Sequence, residues 1–159
     1  MSLRERIQTE LTAAMRSGDS LRRDVLRMAT SSAYNLEKRQ QKPLSEDEML
    51  AVVSREVKTR RESVEAFRKG GREDLAVKEE AEIAILQEFL PQALSEAEIA
   101  ALVDEGVAAT GAASARDLGK VMGWLAPRTR GRADGKRVSE LVAQTLARAD
   151  LATHDRTGG

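Results

Sequence analysis

Three times in this chain a serine stands three residues ahead of a glutamate at the head of an amphipathic run: Ser2 with Glu5, Ser45 with Glu48, and Ser95 with Glu98. In such a capping box the serine hydroxyl accepts from a first-turn N–H while the glutamate reaches back to the serine's own N–H, so each pair fixes a helix start. Apolar residues then recur at steps of three and four. Leu3, Ile7, Leu11 and Met15 form one stripe, Met49, Val53, Val57, Val64 and Phe67 a second, and Ile99, Leu102, Val103 and Val107 a third. Further stripes follow Asp19 or Ser20 (Leu21, Val25, Met28, Ser32, Leu36), the pair Ser114 and Asp117 (Leu118, Val121, Met122, Leu125), and Asp134 (Val138, Leu141, Val142, Leu146). Ala76, Ile83, Leu86 and Leu90 trace one more through a highly charged stretch. No segment alternates with the period of two that a half-buried strand needs. The chain is predicted to be all-α.

Gly18, Pro43, Gly70-Gly71, Pro91, Gly111 and Pro127 punctuate these stripes. They predict an N-terminal helical domain over residues 1–92, a bundle of about four helices, followed by a small three-helix domain over 93–149 and a disordered polar tail over 150–159. Three helices in about 55 residues are near the lower limit for an independent core.

Composition narrows the chemistry. Cys is absent, which excludes disulfides, thiolate metal sites and cysteine nucleophiles, and the sole histidine, His154, lies in the terminal polar segment. The acidic cluster Glu79, Glu80 and Glu82 lacks companion ligands for a cation, and no P-loop, dinucleotide fingerprint, G-x-S-x-G elbow or H-E-x-x-H is present. We therefore expect no enzyme, cofactor or metal. Residues 1–16 lack an apolar core of the secretory type, and no run approaches a membrane span, so the expectation is a cytoplasmic protein without a membrane partner.

Lys and Arg, 26 in all, balance 26 Asp and Glu, so only local asymmetry is informative. It is greatest between Arg116 and Arg137, where Arg116, Lys120, Arg128, Arg130, Arg132, Lys136 and Arg137 face only Asp117 and Asp134. Two readings fit: a solvated basic loop, or a phosphate site in which Arg128, Arg130 and Arg132 alternate through a turn at Gly131. Asp134, as a cap of the last helix, would occupy the N–H groups that an anion could otherwise use. Gly119 and Gly123 each weaken their helix, so they imply a close approach, either of a partner's backbone or of a neighbouring helix. Trp124, next to Gly123, is either a core anchor, the simpler reading, or a surface on which a base stacks. Arg55, Lys58, Arg60, Arg61 and Arg68, interleaved with Glu56, Glu62 and Glu65, read as a solvated helix face laced with ion pairs. Arg22, Arg23 and Arg27 read likewise as structural or solubilising.

Two strings carry a resemblance to a known family: TRRESVEAFRKGGREDLAVKEEAEIAILQEFLPQALSEAEI, from Thr59 to Ile99, and DLGKVMGWLAPRTRGRADGKRVSELV, from Asp117 to Val142. Together they resemble the YqeY-like family, which is related to the C-terminal tail domain of the tRNA-dependent amidotransferase B subunit. The resemblance implies a helical bundle followed by a small three-helix domain, and a non-catalytic module that binds tRNA or assists tRNA aminoacylation and amidation. Matching positions are Gly119, Lys120, Gly123, Gly131, Asp134 and Gly135, with Arg128, Arg130, Arg132 and Lys136 as basic positions, and the candidate RNA-binding set is Lys120, Arg128, Arg130, Arg132, Lys136 and Arg137. Arg stands where relatives often carry Lys, which keeps the charge and adds bidentate geometry toward phosphate. The alternative is a helical module that docks on a tRNA synthetase or an amidotransferase subunit.

Overall fold

Every serine–glutamate pair opens a helix. In a computed structural model, which describes residues 1–157, the helices are α1 (Leu3–Ser17), α2 (Ser20–Gln40), α3 (Glu46–Lys69), α4 (Glu73–Gln87), α5 (Glu96–Thr110), α6 (Leu118–Thr129) and α7 (Gly135–Thr157), with one 3-10 turn at Ala115–Asp117. No strand occurs among the described residues. At α1 the Glu5 N–H donates to Ser2 Oγ at 3.1 Å and the Ser2 N–H to Glu5 Oε2 at 2.8 Å. The box at Ser45 and Glu48 closes with 3.1 Å in both directions, and that at Ser95 and Glu98 with 3.1 and 3.3 Å. Asp19 caps α2 through the Arg22 N–H at 3.1 Å. Gly18 and Gly111 end α1 and α5 in the left-handed conformation, which a residue without Cβ adopts at no steric cost.

The chain divides into two compact units, Met1–Pro91 and the residues from Gln92 onward. The first holds α1 to α4 around Ile7, Leu26, Val53 and Leu86, all fully buried. The second holds α5, the 3-10 turn, α6 and α7 around Ile99, Val103, Val121, Leu125, Val138, Val142 and Leu146.

Three expectations need correction. In α2 the buried side runs through Val25, Leu26, Ala29 and Ala33, and Met28 is exposed, as is Met15 in α1. The alanines were too small to register as a stripe, yet both are buried. Arg60 does not lie on a solvated face, since it is 5% exposed. Its Nη1 bonds Glu56 Oε2 at 2.8 Å, its Nε faces Glu82 Oε2 at 3.8 Å without a hydrogen bond, and Ser32 Oγ donates to Glu56 at 2.7 Å. Burial, reinforced by the Glu79 carboxylate, pushes the Glu82 carboxyl above its ordinary value. Finally, residues 150–157 are not a disordered tail but continue α7, with Thr153 Oγ1 donating to Ala149 O at 2.9 Å. Once a helix is nucleated each further residue adds a hydrogen bond, so polar composition alone does not stop it. The remainder of that expected tail lies outside the described residues.

Candidate nucleic-acid interface

The basic stretch is organised around α6. Asp117 starts it: its Oδ2 accepts the N–H groups of Ala113 at 2.8 Å and Ser114 at 3.3 Å, and these bonds hold its carboxyl below the ordinary value. One face of α6 packs inward through Val121, Leu125 and Thr129. The opposite face exposes Gly119, Lys120, Gly123 and Pro127. Proline lacks an N–H, so Pro127 leaves the carbonyl four residues earlier without its helical donor. That residue is Gly123, itself exposed. A Cβ built on Gly119 or Gly123 meets nothing within 4 Å, so neither glycine admits a neighbouring helix of this chain. The close approach is made elsewhere, at the buried Gly106 of α5, where a Cβ would stand 2.8 Å from Trp124 Cε3.

Trp124 is half-buried between the two faces of α6. Gly106 receives its ring from one side, and Arg128 lies over it with the guanidinium carbon 3.6 Å from the ring centroid. Arg128 Nη1 also donates to the Trp124 carbonyl, and Arg128 pairs with no carboxylate among the described residues. Trp124 is thus anchored in the unit, and a cation of the same helix covers its outer side.

Beyond α6 the chain turns at Gly131, whose φ of 73° favours glycine. Arg130 is exposed at this turn. Arg132 turns away from the other two arginines: its Nε donates to the Gln92 carbonyl at 3.0 Å, and its own carbonyl accepts the Leu94 N–H at 2.8 Å. It ties the entering chain to the turn. Asp134 caps α7 by accepting the Lys136 N–H at 3.1 Å, as its position in sequence suggests. Gly135 opens α7 in open space with an ordinary φ, so no strain or contact demands glycine there. Arg137 grips Glu96 at 3.2 and 3.1 Å, a pairing that raises its pKa further. Lys120 sits 3.9 Å from Asp117 and Lys136 is exposed. Of the six predicted basic residues, Arg132 and Arg137 thus hold the unit together, Lys120, Arg128 and Lys136 present charge at its surface, and Arg130 is exposed at the turn.

Gly106 and the Trp124–Arg128 stack are what the sequence reading missed. The signal for the stack was the four-residue spacing that places both side chains on one helix face. In the first unit, clefts of about 350 and 250 Å³ flank Phe89 and Arg6 and contain none of the predicted site residues. Among the described residues no group of three or more His, Cys, Asp or Glu is placed to hold a metal ion, and no helix is long and apolar enough to cross a membrane.

A family model described as Yqey-like protein matches residues 4–146. The chain belongs to the YqeY-like family. This YqeY-like chain is 30% identical over 145 residues to a protein of Pyrenophora tritici-repentis named altered inheritance of mitochondria protein 41, mitochondrial, covering 89% of this chain and 79% of that one. It is 37% identical over 100 residues to a protein of the same name from Lachancea thermotolerans, covering 61% of this chain and 54% of the relative. It is also 44% identical over 52 residues to an uncharacterised protein of Schizosaccharomyces pombe, 32% of this chain and 42% of the other. Neither the family description nor these names state an enzymatic activity. The names of the mitochondrial relatives overturn the cytoplasmic expectation. That expectation rested on a missing apolar leader, which marks secretion, whereas mitochondrial targeting segments are amphipathic and Arg-rich and escape such a test.

Proposed function

We propose that this YqeY-like protein is a non-catalytic RNA-binding module whose ligand is tRNA, acting as an accessory to tRNA aminoacylation or amidation. We read its first unit as a four-helix bundle and its second as a three-helix domain that carries the interface. The observation behind this is the division of labour among the basic residues. Two arginines are consumed by internal bonds, whereas Arg128 keeps an exposed guanidinium with no carboxylate partner among the described residues, and Lys136 is exposed as well. Cations left at a surface in this way suit phosphate oxygens, whose contacts position a nucleic acid without reading its sequence.

The test is tRNA binding by the full chain across a salt series, with an Arg128→Ala, Lys136→Ala variant alongside. Contacts through Lys120, Arg128 and Lys136 give a slope of log K against log salt of about −2, and the double variant flattens it to about −1. Wild-type protein that fails to bind tRNA at low salt sinks the reading. A second reading, docking on a synthetase or amidotransferase subunit, is favoured by the bare backbone at Gly119 and Gly123. A complex with such a subunit that survives high salt and is lost in Gly123→Leu supports it.

A further inference from the structure

We infer that Arg128, laid over Trp124, is a stacking platform for an unpaired nucleobase, so that the module takes single-stranded RNA, an end or a loop, ahead of duplex stem. This rests on the RNA-binding reading above and adds to it the class of nucleic acid. A guanidinium carbon 3.6 Å from the indole centroid is at stacking separation. An edge-on guanidinium would hold its carbon farther off, because an N–H would intervene. The plane is held from three sides. The indole beneath it is wedged against Gly106, where not even a Cβ fits, the Trp124 carbonyl accepts from Nη1, and the four-residue spacing on α6 sets the reach.

What remains is the outer face of the guanidinium, exposed and without a carboxylate among the described residues to neutralise it. A planar cation on a rigid aromatic base offers a flat π-surface together with positive charge, which suits a splayed-out base whose phosphate lies close by. Bases within a duplex are already stacked on their neighbours and cannot present a face to it. The pairing of plane and charge at Arg128 is what a purely electrostatic loop does not require.

The experiment uses the full chain, in which Trp124 is the sole tryptophan and so reports on this site alone. Two probes with equal numbers of phosphates are titrated at low salt: an unstructured oligoribonucleotide and a fully paired RNA duplex. The strand is expected to bind about tenfold more tightly than the duplex and to change Trp124 emission, as base stacking on one platform implies. Arg128→Lys keeps the charge and removes the plane. Its strand binding is expected to drop about tenfold to the duplex level, with duplex binding unchanged. Lys136→Ala, which removes charge away from the stack, weakens both probes alike. Wild-type protein that binds both probes equally, or an Arg128→Lys variant that binds the strand as wild type does, overturns the stacking inference and leaves RNA binding standing. Failure of wild type to bind either probe overturns both.

Discussion

Two glycines of the second unit separate what a missing side chain does for the fold from what it does for the surface. At Gly106 the absent Cβ is filled by the Trp124 ring, and any side chain would have to displace an indole already covered by Arg128. Gly106→Ala therefore overpacks the unit and is expected to cost about 1–3 kcal/mol. Gly123 lies in the interior of α6 with open space around it. There alanine lowers the entropy of the unfolded chain and meets no neighbour, so Gly123→Ala is expected to stabilise the unit by about 0.5–1 kcal/mol. Denaturant unfolding followed by Trp124 emission checks both signs in one series. Equal effects at the two positions would mean that Gly106 is not the contact described here. The helix weakness that Gly123 carries in the free protein is thus relieved by nothing within the chain, which is why it belongs with the surface readings rather than with the core.

At the scale of the element, helix starts depend on ionised carboxylates. The Ser2 N–H holds the Glu5 carboxyl, and the Ser45 N–H the Glu48 carboxyl, below the ordinary value of 4.5. A depressed folded-state pKa means that the unfolded chain binds protons first on acidification. The stabilisation is then complete above the unfolded value and lost as pH falls through the folded one. Helix content is expected to decline below about pH 4.5 in wild type. A Glu5→Gln, Glu48→Gln variant should start lower in stability and show a shallower decline, measured by far-ultraviolet circular dichroism. Glu82 has the opposite sign, since its raised pKa makes its contribution fall as pH rises above the ordinary carboxylate value. The caps were legible in sequence because a capping box is a local event, set by residues three apart. Arg60 was not, because its burial depends on Glu56 and on Glu82 from another helix, a coincidence of packing that periodicity cannot register. The basic stretch was legible as charge. Which arginines stay at the surface was decided by distant partners, Gln92 for Arg132 and Glu96 for Arg137.

Across the whole molecule, neutrality conceals a segregation that the second unit alone displays. In it α5 carries Glu96, Glu98, Asp104 and Glu105 with no Lys or Arg, whereas the stretch from Arg116 to Arg137 holds seven basic residues against Asp117 and Asp134. Net charge therefore says little about affinity, and an anion is steered by the basic end rather than by the total. The two cores are also distinct, with the buried residues of the first lying between Leu3 and Phe89 and those of the second between Ile99 and Leu146. Each unit is expected to unfold in its own transition, the second first because it buries fewer apolar side chains. Trp124 emission follows the second unit and circular dichroism follows both, so the two thermal curves should not coincide. A ligand bound to one unit stabilises that unit by mass action, by about 2.7 kcal/mol at a hundredfold excess over Kd. Adding tRNA at that excess should move the Trp124 transition upward and leave the later, purely dichroic transition in place. If tRNA moves only the later transition, binding belongs to the first unit. If the curves coincide with and without tRNA, the two cores act as one cooperative structure.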